Sequence, residues 1–420
     1  MAKILVMNIP AHGHVNPTLP VVKELVARGH QVLYYDSEEF RPQIARTGAA
    51  FRAYPPPMPT VAETQKIVSQ SLVHMTVLIL GVSQRLTGYM LAEIQREQPD
   101  VVMYDSICLW GMQSARLSGI PSVASITLLV TEGLGYLFPK RDLLRMLVKA
   151  VPLLPKVISL RGQLVKRYGK DSLPKVLFPT TGDLTLVYTS RQFQPDTPFI
   201  DQRFRFVGPA INPATRDGDF PFDQLQRKPV VYISLGTIHS GGNIDFYQRC
   251  FEAFANHPGQ FILSAGSNTN IRQLGEIPTN FIVRNTVPQL EVLQHADLFI
   301  THGGINGVQE GLYYGVPLVV IPQQLEQAAN AIVVERNGAG IVLGKHAPYG
   351  RVTARQLREA ADTVLNTPRY SKSAQAVGQS LQEAGGYKKA ADEIESLLSR
   401  QIIRQEPTKD RGKSQPIPVR

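Results

Sequence analysis

The chain has 420 residues, 43% of them hydrophobic, and carries 44 Lys and Arg against 34 Asp and Glu, a net charge of +10. That is room for two or three domains with ample core material and an ordinary soluble composition. Its two cysteines, Cys108 and Cys250, exclude a disulfide framework or a zinc site, and a reducing, cytoplasmic setting is the simple reading.

The first element is the apolar run Ile4 to Ile9, too short for a signal-peptide core, which leads straight into a Gly/Pro loop. A helical pattern, L-P-V-V-K-E-L-V-A-R, follows with Gly29 as its stop, and then a strand, Q-V-L-Y-Y. The longest apolar stretch, Leu72 to Val82, is about half of the roughly 20 residues a membrane span needs and reads as a buried helix. P-D-V-V-M-Y-D is a strand, Ile107 to Leu117 a helix, and P-S-V-A-S-I another strand. The pattern restarts with P-V-V-Y-I-S-L-G-T, Q-F-I-L-S-A-G, N-F-I-V-R, L-F-I-T-H and P-L-V-V-I-P, with helices between. Such β-α-β repetition predicts an α/β protein of two doubly wound, Rossmann-like domains.

Pro209 to Phe222, rich in Pro, Gly and Asp, is the best linker. The expected organisation is residues 1–208 as the first domain, 209–228 as linker and 229–398 as the second domain, with packing of its last helix back on the first domain as an option. Residues 399–420 form a basic tail, expected to be disordered. Positive charge also gathers between Lys140 and Lys170, nine Lys/Arg against Asp142. No nucleic-acid module signature accompanies it, so nucleic acid is not an expected partner. Leucines and valines interleave with these cations, which allows weak contact with an anionic membrane beside the plainer reading of a solvated basic surface.

The most informative stretch is F-I-T-H-G-G-I-N-G-V-Q-E-G, Phe299 to Gly311. In an open parallel sheet ligands sit beyond the carboxyl ends of the strands. This strand delivers His302 to that edge, and the helix beginning near Asn306 offers unpaired N–H groups and a positive dipole end. Gly303, Gly304 and Gly307 let an anion approach the backbone, and His302 and Asn306 can donate hydrogen bonds, so a phosphate or diphosphate suits the place. Glu310, one turn on, can accept from vicinal ribose hydroxyls. The next strand ends in P-Q-Q-L-E-Q, bringing Glu326 and Gln327 to the same edge as partners for a sugar. Together these describe a nucleotide sugar.

The segment V-P-Q-L-E-V-L-Q-H-A-D-L-F-I-T-H-G-G-I-N-G-V-Q-E-G-L-Y-Y-G-V-P-L-V-V-I-P-Q-Q-L-E-Q resembles the donor signature of the family 1 UDP-glycosyltransferases, in particular the bacterial macrolide-glycosyltransferase group. The opening M-N-I-P-A-H-G-H-V-N-P-T-L-P is similar to that group's start, and the likeness extends over about residues 3 to 398. It implies a GT-B fold, two Rossmann-like domains facing across a cleft, the second, residues 229–398, binding the nucleotide sugar and the first, residues 1–208, binding the acceptor. It implies that His302, Asn306 and Thr237 meet the diphosphate, that Glu310 meets the ribose and that Glu326 and Gln327 meet the sugar. Val287, Pro288 and Gln289 would border the uracil. Three positions depart from the family pattern. Thr286 stands where an aromatic often stacks on the base, a loss worth roughly 1–3 kcal/mol by analogy with other base stacks. Gly307 stands for Ser, and Glu326 for Asp.

Glycosyl transfer needs a base for the acceptor hydroxyl, and a histidine has a suitable pKa. The loop after the first strand offers His12 and His14, and Asp105 ends another strand at the same edge. The two histidines lack a third metal ligand, and none of the sequence suggests a metal site. The resemblance places the family's base pair on His14 and Asp105 and leaves His12 structural. It implies inverting displacement at the anomeric carbon, with no cofactor beyond a UDP-sugar co-substrate; Gln327 suggests UDP-glucose. The acceptor pocket is expected from the irregular stretches Tyr54 to Met90 and Leu128 to Leu173. Met58, Leu78, Leu129, Leu134 and Phe138 would line it for an apolar alcohol or phenol: a macrolide, flavonoid, other polyketide or terpenoid. Trp110, one turn past Asp105, reads first as core and second as pocket lining. The alternatives are a glycolipid-forming transferase and a non-catalytic nucleotide-sugar-binding helper. A nicotinamide dehydrogenase is disfavoured because A-H-G-H-V-N lacks the G-x-G-x-x-G pattern. The cleft can form within one chain, so a monomer is expected.

Overall fold

The computed structural model describes residues 1–130, 148, 150–174, 177–212, 219–236, 243–267, 269–346 and 350–405. Two all-parallel sheets account for the strands. The first has seven, in the order β3-β2-β1-β4-β5-β6-β7, and the second six, in the order β10-β9-β8-β11-β12-β13. The first comprises β1 Lys3–Met7, β2 Gln31–Asp36, β3 Ala50–Ala53, β4 Val101–Asp105, β5 Ser122–Ile126, β6 Leu184–Val187 and β7 Phe204–Phe206. The second comprises β8 Val230–Ser234, β9 Gln260–Ser264, β10 Phe281–Arg284, β11 Leu298–Thr301, β12 Leu318–Val320 and β13 Gly340–Val342. In each sheet the order reverses beside the first strand, between β1 and β4 and between β8 and β11. Those two switch points are where a doubly wound sheet opens a crevice for ligand.

The strands are buried on both faces, so they read as continuous apolar runs rather than alternating ones. Their side chains still divide by parity. Ile4 and Val6 enter one core layer, Leu5 and Met7 the other. Val231 and Ile233 enter one layer of the second domain, Val230 and Tyr232 the other.

The helices of the first domain are α1 His12–Ala27, α2 Arg41–Ala45, α3 Val61–Gln70, α4 Leu72–Glu97, α5 Leu109–Ser118 and α6 Leu154–Tyr168. Those that follow are α7 Ile244–Phe254, α8 Gln289–His295, α9 Ile305–Tyr313, α10 Leu325–Arg336, α11 Ala354–Asn366, α12 Pro368–Glu383 and α13 Gly386–Gln405. No helix of the described residues is long and apolar enough to cross a membrane. Both cysteines are buried and unbridged.

The chain crosses back at its end. Helix α13 lies on α1, and its Ala390, Ala391 and Ile394 are completely buried in the core of the first domain. Arg28 donates to Asp392 and Glu395, both at 2.7 Å, and fixes the contact at the rim. Residues 213–218 of the expected linker and the tail from 406 lie outside the described residues.

Candidate active site

The first switch point assembles a histidine–aspartate pair. His14 is not in a loop: α1 begins at His12, so both histidines occupy its first turn. Asp105 is the last residue of β4, the strand paired directly with β1. Its Oδ2 lies 2.8 Å from His14 Nδ1, and its Oδ1 accepts from the Ile107 N–H at 2.8 Å, so the carboxylate is held from two sides. With Asp105 accepting from Nδ1–H, Nε2 is the basic nitrogen, and it makes no hydrogen bond among the described residues. Thr127, one residue beyond β5, puts Oγ1 3.0 Å from the same Nδ1. The sequence reading missed it; a threonine just past a strand's carboxyl end was the available signal. Burial lowers the His14 pKa, but the Asp105 charge and hydrogen bond, with Glu326 adding its charge, reverse this and leave it raised above 6.5. His12 packs edge-on against Phe40 at 5.0 Å, and burial lowers its pKa.

At the second switch point α9 presents its N-terminus. Gly304 caps it without a side-chain bond and no acid sits in the first turn, so the helix's positive end is uncompensated by its own side chains. The His302 ring is wedged between two glycines. A Cβ on Gly236 would lie 2.4 Å from its Cε1, and one on Gly304 2.6 Å from its Nε2. Gly236 also has φ +73°, so glycine is required there twice over. Glu310 is 3% exposed. Gln289 donates to it, and Gln289 in turn accepts from the Tyr232 hydroxyl at 3.0 Å. Val287 is half-buried and Thr286 exposed at the mouth of α8.

Glu326 and Gln327 lie in the first turn of α10 rather than on the strand end. Asn330 anchors Glu326 at 2.7 Å and the Gly303 carbonyl at 2.9 Å, tying the two ligand loops together. Burial raises the Glu326 pKa, against the pull of the Asn330 hydrogen bond and the His14 charge. Gln327 is fully buried; its Oε1 accepts from Gln323 N–H at 2.8 Å, while its Nε2 lacks a partner among the described residues.

The two sites are joined. Asn306 Nδ2 donates to the Gly13 carbonyl across the cleft at 2.9 Å. In an ideal helix that carbonyl would accept from the N–H four residues on, but residue 17 is proline and has none. The proline inside α1 therefore leaves an acceptor, which Asn306 of the second domain fills.

Not every expected position fits. Trp110 is 2% exposed, its Nε1 donating to Tyr54 Oη at 3.2 Å, which is the core role that the sequence puts first. Leu129 packs against the core of the second domain, at the seam between the halves. Met58 and Leu78 are half-buried on the outer edge of the first domain's core and keep surface to offer. Thr237, Leu134 and Phe138 lie outside the described residues. No cluster of potential metal ligands occurs among the described residues.

Comparison with known proteins agrees with this geometry. Residues 222–380 match the family model of UDP-glucoronosyl and UDP-glucosyl transferases. The chain is 35% identical over 401 residues to the Bacillus subtilis protein described as uncharacterized UDP-glucosyltransferase YojK, covering 94% of this chain and 97% of that one. It is 30% identical over 420 residues to the oleandomycin glycosyltransferase of Streptomyces antibioticus, covering 98% and 94%. Among solved structures the glycotransferase of kitacinnamycin superposes with TM-score 0.79 at 30% identity, over 94% of this chain and 98% of that one. Two Rossmann-like domains, their switch points facing across one cleft, and relatives of this likeness along the whole chain make the protein a GT-B glycosyltransferase of the UDP-glycosyltransferase family 1, in its macrolide-glycosyltransferase-like group.

Proposed function

We propose that the protein transfers a hexose, glucose first among the candidates, from a UDP-sugar to a hydroxyl of an apolar small molecule with inversion at the anomeric carbon. The observation that carries this is the His14–Asp105 pair, 2.8 Å apart, set opposite the α9 N-terminus. The acceptor oxygen attacks C1 from the face opposite the diphosphate and gives its proton to His14 Nε2. The C1–O bond to the diphosphate breaks, and UDP leaves with the electron pair. Asp105 keeps the ring oriented and balances the imidazolium, a role that does not require its own protonation. The first-turn N–H groups of α9, Asn306 and His302 meet the growing charge on the diphosphate in place before the reaction, so little reorganisation is needed. Thr237 would add a hydroxyl there. Glu310 takes the ribose, Val287 and Gln289 border the base, and Glu326 and Gln327 take the sugar hydroxyls. Neither a cofactor nor a metal has a part in this scheme, since the leaving charge is met by backbone and imidazole donors.

The test is incubation with UDP-glucose, with and without a chelator, and a panel of phenolic and macrolide acceptors, reading hexose addition by mass spectrometry and anomeric configuration by NMR. A β-linked product that survives chelation and falls roughly 10²–10⁴-fold in His14→Ala is expected. A product of retained configuration, or an undiminished rate in the variant, refutes the scheme.

A further inference from the structure

Helix α6 is held to the first domain by one face only. Leu164 is buried, and Val157, Leu160 and Val165 pack on the same core layer as Leu80 and Leu86 of α4. Gln84 of α4 donates to Gln163 Oε1 at 3.0 Å. Beyond that face, Val148, Val151, Leu154 and Ile158 are 65%, 61%, 45% and 68% exposed. Leu154 and Ile158 lie one turn apart on α6, and Val148 and Val151 stand in the segment that leads into it, so the exposed aliphatics form one run at the start of the helix. Among the described residues only three other large hydrophobics are exposed, Met1, Leu117 and Ile277, and none of them is near this run in sequence. Single exposed apolar side chains are ordinary; a row of branched aliphatics is not.

The charges around the run have one sign. No Asp or Glu occurs from Val148 to Lys170, nor from Leu72 to Ala92 in the partner helix α4. Arg85, Lys156, Lys166, Arg167 and Lys170 are exposed, and Arg161 is half-buried. None forms an ion pair among the described residues. Elsewhere the surface cations are commonly matched: Arg41 with Glu38, Arg203 with Asp201, Lys345 with Glu335, Arg355 with Glu359. Unmatched cations on the same helix as exposed aliphatics complement one kind of surface, anionic headgroups over acyl chain. A single-stranded nucleic acid would call for exposed aromatic platforms, and Tyr168, the only aromatic of α6, is partly buried in the core layer.

We propose that the Val148–Ile158 run, with the cations of α6 and Arg85, docks the enzyme on an anionic lipid bilayer, and that the acceptor is an apolar alcohol dissolved in that bilayer. The second half rests on the transferase reading above; the docking does not. Met58 and Leu78 pack on the same core layer as α6, which places the docking face on the acceptor half of the molecule.

The experiment is co-sedimentation of the full chain with vesicles of phosphatidylcholine alone and of phosphatidylcholine with roughly one-third phosphatidylglycerol. The anionic vesicles should bring down at least about tenfold more protein, and high salt should release it. Val151→Asp with Ile158→Asp, and separately Lys156→Glu with Lys166→Glu, should each abolish binding while melting temperature and transfer to a water-soluble phenol stay unchanged. Equal sedimentation with both vesicle types, or none with either, overturns the proposal. So does a raised acceptor KM in Ile158→Asp without vesicle binding, which would make the run a wall of the acceptor site. Anionic vesicle binding lost in both variants, in a protein that glycosylates nothing, upholds the docking and sinks the transferase reading instead.

Discussion

At His14 two opposing effects meet. Burial disfavours the imidazolium, while Asp105 at 2.8 Å and the Glu326 charge favour it, and the balance leaves the pKa above 6.5. In the proposed role His14 works unprotonated, so the acid limb of activity is expected above that value. The same sign appears in stability. The ion pair contributes fully below pH 6.5, and that contribution is lost as pH rises through the folded-state pKa. In Asp105→Asn burial is left with less opposition, so the acid limb of kcat/KM should move to lower pH while kcat falls by roughly 10²–10⁴-fold; a pH–rate profile reads both. Gly307 invites the opposite kind of change. A Cβ there meets nothing nearer than Thr301 Oγ1 at 3.7 Å, which is ordinary contact. Gly307→Ser should therefore fold normally and add a hydroxyl donor at the α9 N-terminus. Binding calorimetry should show UDP held about tenfold more tightly, the worth of one charge-assisted hydrogen bond.

Among the elements, α13 has the role least suggested by its place in the chain. It follows the second domain but completes the core of the first, with Ile394 fully buried against α1 and the sheet. Ile394→Ala leaves a cavity there and should destabilise that domain by about 2–5 kcal/mol in denaturant unfolding, with UDP affinity little changed because the donor loops lie on the other sheet. The sequence reading has a last helix in this region, and α5 and α9 begin within two residues of their expected starts, whereas α1 begins at His12, well before Leu19, where its helical pattern starts. Periodicity reports that an element has an apolar face; it does not report which face of which domain receives it. That is also why Trp110 stayed ambiguous until its indole was seen sealed against Tyr54.

For the whole molecule the informative distances are those that cross the cleft. Asn306 reaches the Gly13 carbonyl at 2.9 Å, and the Glu326 charge bears on His14. His14 and Glu326 thus share one electrostatic environment when the halves are together. Glu326→Gln removes a charge that raises the His14 pKa. Its acid limb should shift to lower pH, in the direction of Asp105→Asn and by less, since Glu326 is the smallest of the contributions. A limb that stays in place would mean the halves do not approach this closely during turnover.

The sequence by itself determined the parallel α/β architecture, because strands buried on both faces must read as unbroken apolar runs separated by helical periods. It also determined which residues arrive at the ligand edge, since whatever follows a strand's carboxyl end in such a sheet faces the crevice. The placement of His14, Asp105, His302, Asn306 and Glu310 at the switch points was legible for that reason, while the roles proposed for them come from the family resemblance. The tertiary structure decided what depends on separation through space rather than along the chain. Thr127 joins His14 only because β5 packs beside β4. Gly236 is required only because the His302 ring lies where its Cβ would be. The Gly13 carbonyl that Pro17 leaves open acquires a partner in the other domain only because the cleft brings Asn306 to it. Local propensity acts over a turn or a strand; these contacts span tens to hundreds of residues and exist only once two cores have packed.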